Sequence, residues 1–234
     1  MHKCKLCGNE KKLHRSHIIP EFMYKSMYDE ESRFNVISSI PDKIYPPKQK
    51  GEWEWLLCKD CEQHISKYED YAARLLNGGV EFDVKEHSSV IEISDIDYQL
   101  FKLFQLSVLW RASISTRPIF KEVNLGRHEK IVRNMLLKNN PGKSYNYGCV
   151  MLATMHEGKH LDSLVLQPEL KKLGGQTVYR FIFGGFWWLY FCSSHKPDKN
   201  LVRVFLQESG VGYIFKKEIS SADHIVQFAI EANL

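Results

Sequence analysis

Two Cys-x-x-C pairs, Cys4-Lys5-Leu6-Cys7 and Cys58-Lys59-Asp60-Cys61, constrain this chain more than any other feature. A two-residue spacer lets both thiolates of a pair reach one ion at about 2.3 Å, and four thiolates complete a tetrahedral Zn²⁺ site. A structural zinc at Cys4, Cys7, Cys58 and Cys61 therefore staples two segments that lie far apart in sequence. Thiols of this kind fit a reducing compartment, and Met1-His2-Lys3-Cys4-Lys5 has no apolar secretory core, so a cytoplasmic location is expected.

The remaining bounds are broad. A chain of 234 residues, 44% hydrophobic and 12% aromatic, can bury a sizeable core as one large domain or two small ones. Its net charge of +4 permits a nucleic-acid partner without requiring one. The most apolar run, residues 100 to 114, contains Lys102, Gln105 and Arg111 and is too short and too polar to span a bilayer, so no membrane partner is expected. Cys149 and Cys192 lie in apolar strand-like runs and read as buried thiols.

In chain order, Gly8-Asn9-Glu10 reads as a turn and residues 12 to 19 alternate loosely before Pro20, which together suggest a short hairpin with His17 near the end of its second strand. Pro20 opens a short helix ending near residues 29 to 32. Residues 33 to 51 are mostly loop, with a possible strand at 34 to 37; Lys43, Lys48, Lys50 and Tyr45 make it basic and aromatic. Ile65, Tyr68, Ala72, Leu75 and Leu76 predict a helix over 59 to 76, stopped by Asn77-Gly78-Gly79. A strand at 90 to 93 precedes a helix capped by Ser94-Asp95-Ile96-Asp97 and running to about 115; its nearly all-apolar surface places it in the centre of the fold, where Arg111 needs a buried acid or a wet edge. A helix over 126 to 138 follows, with Ile131, Met135 and Leu136 at core spacing. Strands are predicted at 147 to 155, 163 to 166, 178 to 192 (split at Gly184-Gly185), 202 to 206 and 211 to 215, then a closing helix at 223 to 232. Trp53 and Trp55 alternate as strand neighbours covering the zinc module, and Phe186-Trp187-Trp188 reads as core.

The order of a Cys-x-x-C knuckle, a hairpin carrying His17-Ile18-Ile19-Pro20 and a second knuckle opening a helix resembles the zinc-bound branch of the HNH endonucleases, the ββα-metal fold, over residues 4 to 75. The fold class expected is α+β: an HNH-like module at 1 to 80, then a region at 81 to 234 with helices over about 95 to 138 and mostly strands over about 145 to 217, of unassigned binding role. The resemblance implies phosphodiester hydrolysis with His17 as general base and a catalytic Mg²⁺ or Mn²⁺ distinct from the zinc. It points to Glu62, directly after the knuckle, as the hard oxygen ligand, with His64 and Glu69 as further candidates. Glu62 and Glu69 share a helix face at about 100° per residue, whereas His64 projects with Cys61 and Tyr68.

Two positions depart from the family's pattern. Ser16 stands where a His or Asp usually precedes the base, and residues 51 to 57 hold no Asn, so another group must orient His17. His14 and Arg15 flank the base as candidate nucleic-acid contacts. The expected function is a metal-dependent endonuclease acting on DNA in preference to RNA, a homodimer where both strands are cut. The alternative is a non-catalytic zinc-knuckle module binding nucleic acid or a protein. Proteins of this resemblance often act in phage-defence or mobile-element settings.

Overall fold

The computed structural model describes residues 2–34 and 47–218. Most of the possible strand at 34 to 37, the loop residues Lys43 and Tyr45, and the predicted closing helix lie outside the described residues.

Strands β1 (His2–Lys3) and β2 (Glu10–Lys11) pair antiparallel around the first knuckle. Gly8 turns the chain there at φ 80°, a conformation glycine adopts without strain, and its N–H donates to the Cys4 carbonyl at 2.9 Å. β3 (Leu13–His17) does not close the predicted local hairpin. It pairs antiparallel with β4 (Trp53–Cys58), with Leu13 opposite Cys58 and His17 opposite Trp53. Local alternation had suggested a neighbour, but the thiol cluster brings the second knuckle, and the strand leading into it, against β3. Between them, Glu21–Met27 is a 3-10 helix, set by i to i−3 bonds such as Met23 N–H to Pro20 O at 3.0 Å.

Helix α1 (Lys59–Leu76) starts where β4 ends and matches its predicted span. Asp60 and Glu62 in its first turn complement the helix dipole, and Cys61, Ile65, Tyr68, Ala72 and Leu75 form its buried stripe. After β5 (Val84–Glu86) and β6 (Val90–Ile93) comes α2 (Tyr98–Ile114). Its cap is Asp97 rather than Ser94, because Asp95 takes φ 63° and delays the helix; the Asp97 carboxylate accepts from Leu100 N–H at 2.9 Å. Every side chain from Phe101 to Ala112 is buried, as the apolar sequence predicted. The helix packs on α1 and on α3 (His128–Leu137), and Phe101 and Phe104 meet Trp188 of the large sheet. α3 buries Val132 and Leu136, while Ile131, assigned to the core by its spacing, is 48% exposed.

The sheet comprises β7 (Cys149–His156), β8 (Lys159–His160), β9 (Leu166–Leu173), β10 (Gln176–Phe183), β11 (Phe186–Phe191) and β12 (Gly212–Glu218) together with β5 and β6, in the order β5-β6-β12-β7-β11-β10-β9 with β8 beside β7. Gly184 and Gly185, at φ 58° and 80°, turn β10 into β11 where the split was predicted. Two expectations fail nearby. The strand placed at 163 to 166 begins only at Leu166, and residues 202 to 206 form no strand: Val202 and Arg203 end a short helix α4 (Lys199–Arg203), which Asp198 caps by accepting from Asn200 N–H at 2.8 Å, and the chain then turns to bury Phe205. β12 lies parallel to β7 and antiparallel to β6, so strands from both sides of α2 share one sheet.

The architecture is thus mixed α+β with an N-terminal cysteine cluster. One buried cluster runs from Cys4 and Leu6 through α1 and α2 to Trp188 and Ile214. Among the described residues no helix is long and apolar enough to cross a membrane.

Candidate metal centre and histidine–acid cluster

The four knuckle cysteines converge. Cys4 and Cys7 come from the β1–β2 turn, Cys58 from the end of β4 and Cys61 from the first turn of α1, and their sulfurs all lie within 4.8 Å of one another. Zn–S bonds of about 2.3 Å in a tetrahedron place sulfurs about 3.8 Å apart. Cys7 Sγ and Cys58 Sγ are separated by 3.9 Å. Burial pushes the Cys4 thiol up, but backbone N–H groups of Cys58, Cys7 and Leu6 outweigh it and bring the group down to about 7. The Cys58 N–H reaches Cys4 Sγ at 3.3 Å. Cys61 and Cys7 are pushed up, first by burial; crowding by the other thiols adds to this at Cys61. A divalent ion would offset the burial and crowding that oppose ionisation of Cys61 and the burial that opposes it at Cys7. The donor set can hold Zn²⁺.

A second cluster gathers around the end of β3. His17 Nε2 lies 2.9 Å from Glu21 Oε2, one turn onward. Ser16, wholly buried, donates its hydroxyl to Glu62 on α1. Arg111 of α2 reaches across from the core: Nη1 donates to the His17 carbonyl at 2.5 Å, Nη2 is 2.6 Å from Glu69 Oε1, and Nε donates to Ser107 O at 3.2 Å. Glu69 is the acid that a cation in so apolar a helix needs. Burial lowers the pKa of His17, aided by Arg111 and Lys50 and opposed by Glu21 and Glu69. The imidazole is therefore neutral at neutral pH and able to accept a proton. Burial also raises the Glu62 carboxyl, with Ser16 and Arg111 opposing and Glu69 adding.

His64 does not join this cluster. Its Nε2 lies 2.7 Å from Leu136 O and 3.0 Å from the Tyr68 hydroxyl, facing α3. Two residues of helix rotate it about 200° from Glu62, so helical geometry and these bonds remove it from the candidate ligands. Glu62 and Glu69 share the face that meets Ser16 and Arg111, yet each is already partnered. Among the described residues, only the four cysteines bring three or more metal-ligating side chains together. The trio Glu62, His64 and Glu69 is not a preassembled site for Mg²⁺ or Mn²⁺.

His14 is half-buried opposite Leu57, beside a bulge in the β3–β4 ladder. The Arg15 guanidinium lies 4.4 Å from the Trp53 ring centroid and 5.7 Å from that of Trp55. Trp55 is 55% exposed, so it does not cover the zinc module. Sequence reasoning missed Glu21, although its i+4 spacing from His17 was visible, and left Arg111 without a named acid. Compared with known proteins, the chain matches no family model, no curated relative and no solved structure.

Proposed function

We propose that this chain is an endonuclease hydrolysing phosphodiester bonds, DNA before RNA, with His17 as general base. The observation that carries the reading is the His17–Glu21 pair: a neutral, half-buried imidazole at a strand end, held by a carboxylate at 2.9 Å. The order β3, β4, α1 beside the cysteine cluster supports an HNH-like ββα-metal module over residues 4 to 75. Reduced thiols fit a cytoplasmic site of action.

The Glu21 carboxylate 2.9 Å from Nε2 favours a proton on that nitrogen, which leaves Nδ1 to take one from water. The imidazolium so formed is stabilised by the Glu21 carboxylate, and the water's oxygen attacks phosphorus. Arg111 fixes the end of β3 through the His17 carbonyl and pairs with Glu69 on α1. A divalent cation, which the resemblance implies, would neutralise charge on the phosphate and leaving oxygens; since the carboxylates do not converge on one, no step is assigned to it.

Purified, zinc-loaded protein should nick supercoiled plasmid with Mg²⁺ or Mn²⁺, and His17→Ala should lose at least a hundredfold in rate while remaining folded. Failure of the wild type to cut plasmid, single strands or RNA sinks the reading. The second reading, a non-catalytic zinc-knuckle module binding nucleic acid or protein, is favoured by one observation: Glu62 and Glu69 are occupied by Ser16 and Arg111. Titration separates the two, since the nuclease binds Mg²⁺ or Mn²⁺ beyond its zinc and the binding module does not.

A further inference from the structure

The β3–β4 ribbon carries a second feature on the strand residues beside His17. Among the exposed large hydrophobic residues described, Trp55 is the one aromatic, whereas Trp110, Trp187 and Trp188 are buried. Trp53 stands edge-on to it, with ring centroids 5.9 Å apart at 89°. Arg15 lies over Trp53 and near Trp55, and Arg117 reaches Trp53 from the other strand end: 5.6 Å to the ring centroid, with Nη2 donating to the Trp53 carbonyl at 2.6 Å.

The neighbouring charges favour an anion. Lys50 acts electrostatically on His17, and Lys48 and Arg117 pair with Glu52. The other carboxylate on the ribbon, Glu54, is taken up by Ser115 and Thr116, accepting from Ser115 Oγ at 2.5 Å and Thr116 N–H at 3.0 Å. Arg15 is left with ring faces alone as its partners among the described residues, its charge unneutralised by a carboxylate.

We propose that Trp55, Trp53 and Arg15 form a platform for an unpaired base of a single strand, which delivers the adjacent phosphodiester to His17. An exposed indole supplies a π-face that any base can stack on, and arginine beside it supplies the phosphate contact. Bases locked inside a duplex cannot reach such a face. The register places Arg15 opposite Trp55 and His17 opposite Trp53, two residues or about 7 Å along the ribbon. The inference rests on the nuclease reading for its second clause and on the ribbon's own residues for its first.

The test uses His17→Ala protein, zinc-loaded and without added Mg²⁺, so that binding is read without cleavage. Fluorescence anisotropy compares labelled dT20, rU20 and a 20-bp duplex. A single strand should bind more tightly than the duplex and quench tryptophan emission; dT20 against rU20 tells which strand is the source. Trp55→Ala should weaken single-strand binding about tenfold and leave duplex binding unchanged, with Trp55→Phe restoring most of it. Arg15→Gln should reduce the salt slope by about 0.7. Equal binding of single strand by Trp55→Ala and its parent, equal losses on duplex, or no binding of any nucleic acid overturns the platform. Cleavage by the wild type is scored separately: failure to cut plasmid, single strands and RNA alike removes the nuclease reading and leaves single-strand binding standing, whereas cleavage with unchanged Trp55→Ala binding removes the platform alone.

Discussion

At the scale of single residues, the proposed nuclease reading makes the protonation of His17 decisive. Burial lowers its pKa below the ordinary value of 6.5, and Glu21 partly restores it. A general base works in its neutral form, so cleavage should fall away only below pH 6.5, as the imidazole gains a proton. Glu21→Gln removes the charge that favours imidazolium; the acid limb should then move to still lower pH while the plateau rate drops about tenfold, because the ring loses its anchor. A pH–rate profile of the two proteins checks both changes. An acid limb that moves upward in Glu21→Gln contradicts the assignment of Glu21 as a positioning residue. Of this site, the sequence exposed His17 through the Ile-Ile-Pro context and Glu62 through its place after the knuckle. It did not expose which acid touches the imidazole, since that depends on how the chain turns after Pro20.

At the scale of elements, α2 carries a buried cation besides Arg111. Lys102 is fully enclosed and donates to the Tyr147 carbonyl at 2.7 Å, with its pKa lowered by burial from 10.5 to about 8. Because the folded chain holds this proton less tightly than the unfolded chain, the unfolded state binds more protons between those two values, and stability rises with pH across that window. That lowering corresponds to about 3 kcal/mol of stability, absent below pH 8 and regained toward pH 10.5. Urea unfolding at pH 7.5 and 9.5 should therefore show the wild type gaining stability relative to Lys102→Met, a substitution that keeps the volume and removes the charge. A difference that does not change with pH contradicts this. The helix itself was legible from its apolar run. Its cap was not, because Ser94 and Asp97 both carry capping chemistry and only the backbone turn at Asp95 chose between them.

At the scale of the whole molecule, the cysteine cluster joins β1, β2, β4 and α1, and through α1 it borders the same buried cluster as α2 and the large sheet. Removing a bound zinc would leave crowded, partly buried thiols and should loosen the pairing of β3 with β4. One zinc per chain is expected by elemental analysis. Chelation, or Cys58→Ser, should lower the melting temperature by about 10 °C or more and abolish the His17–Glu21 geometry along with any cleavage. Purified protein that holds no zinc, or that melts unchanged after chelation, overturns the metal assignment. Because one core is shared, calorimetry of the metal-loaded chain should record the loss cooperatively with the remaining fold.

The sequence alone determined the elements whose causes are local. Paired knuckles announced a tetrahedral thiol site, helical spacing placed α1, an apolar run placed α2, and Gly184-Gly185 marked the turn between β10 and β11. Tertiary structure decided what local spacing cannot contain: that β3 takes β4 as its partner, that residues 199 to 203 coil into a helix because Asp198 caps them, and that Ile131 faces water while Val132 is buried. It also decided that His64 turns to α3 and that Arg111 comes from far along the chain to hold Glu69 and the end of β3. Periodicity reports which side of an element is apolar; which element it meets, and which charge is neutralised there, is settled only when the chain closes on itself and each buried polar group must find a partner.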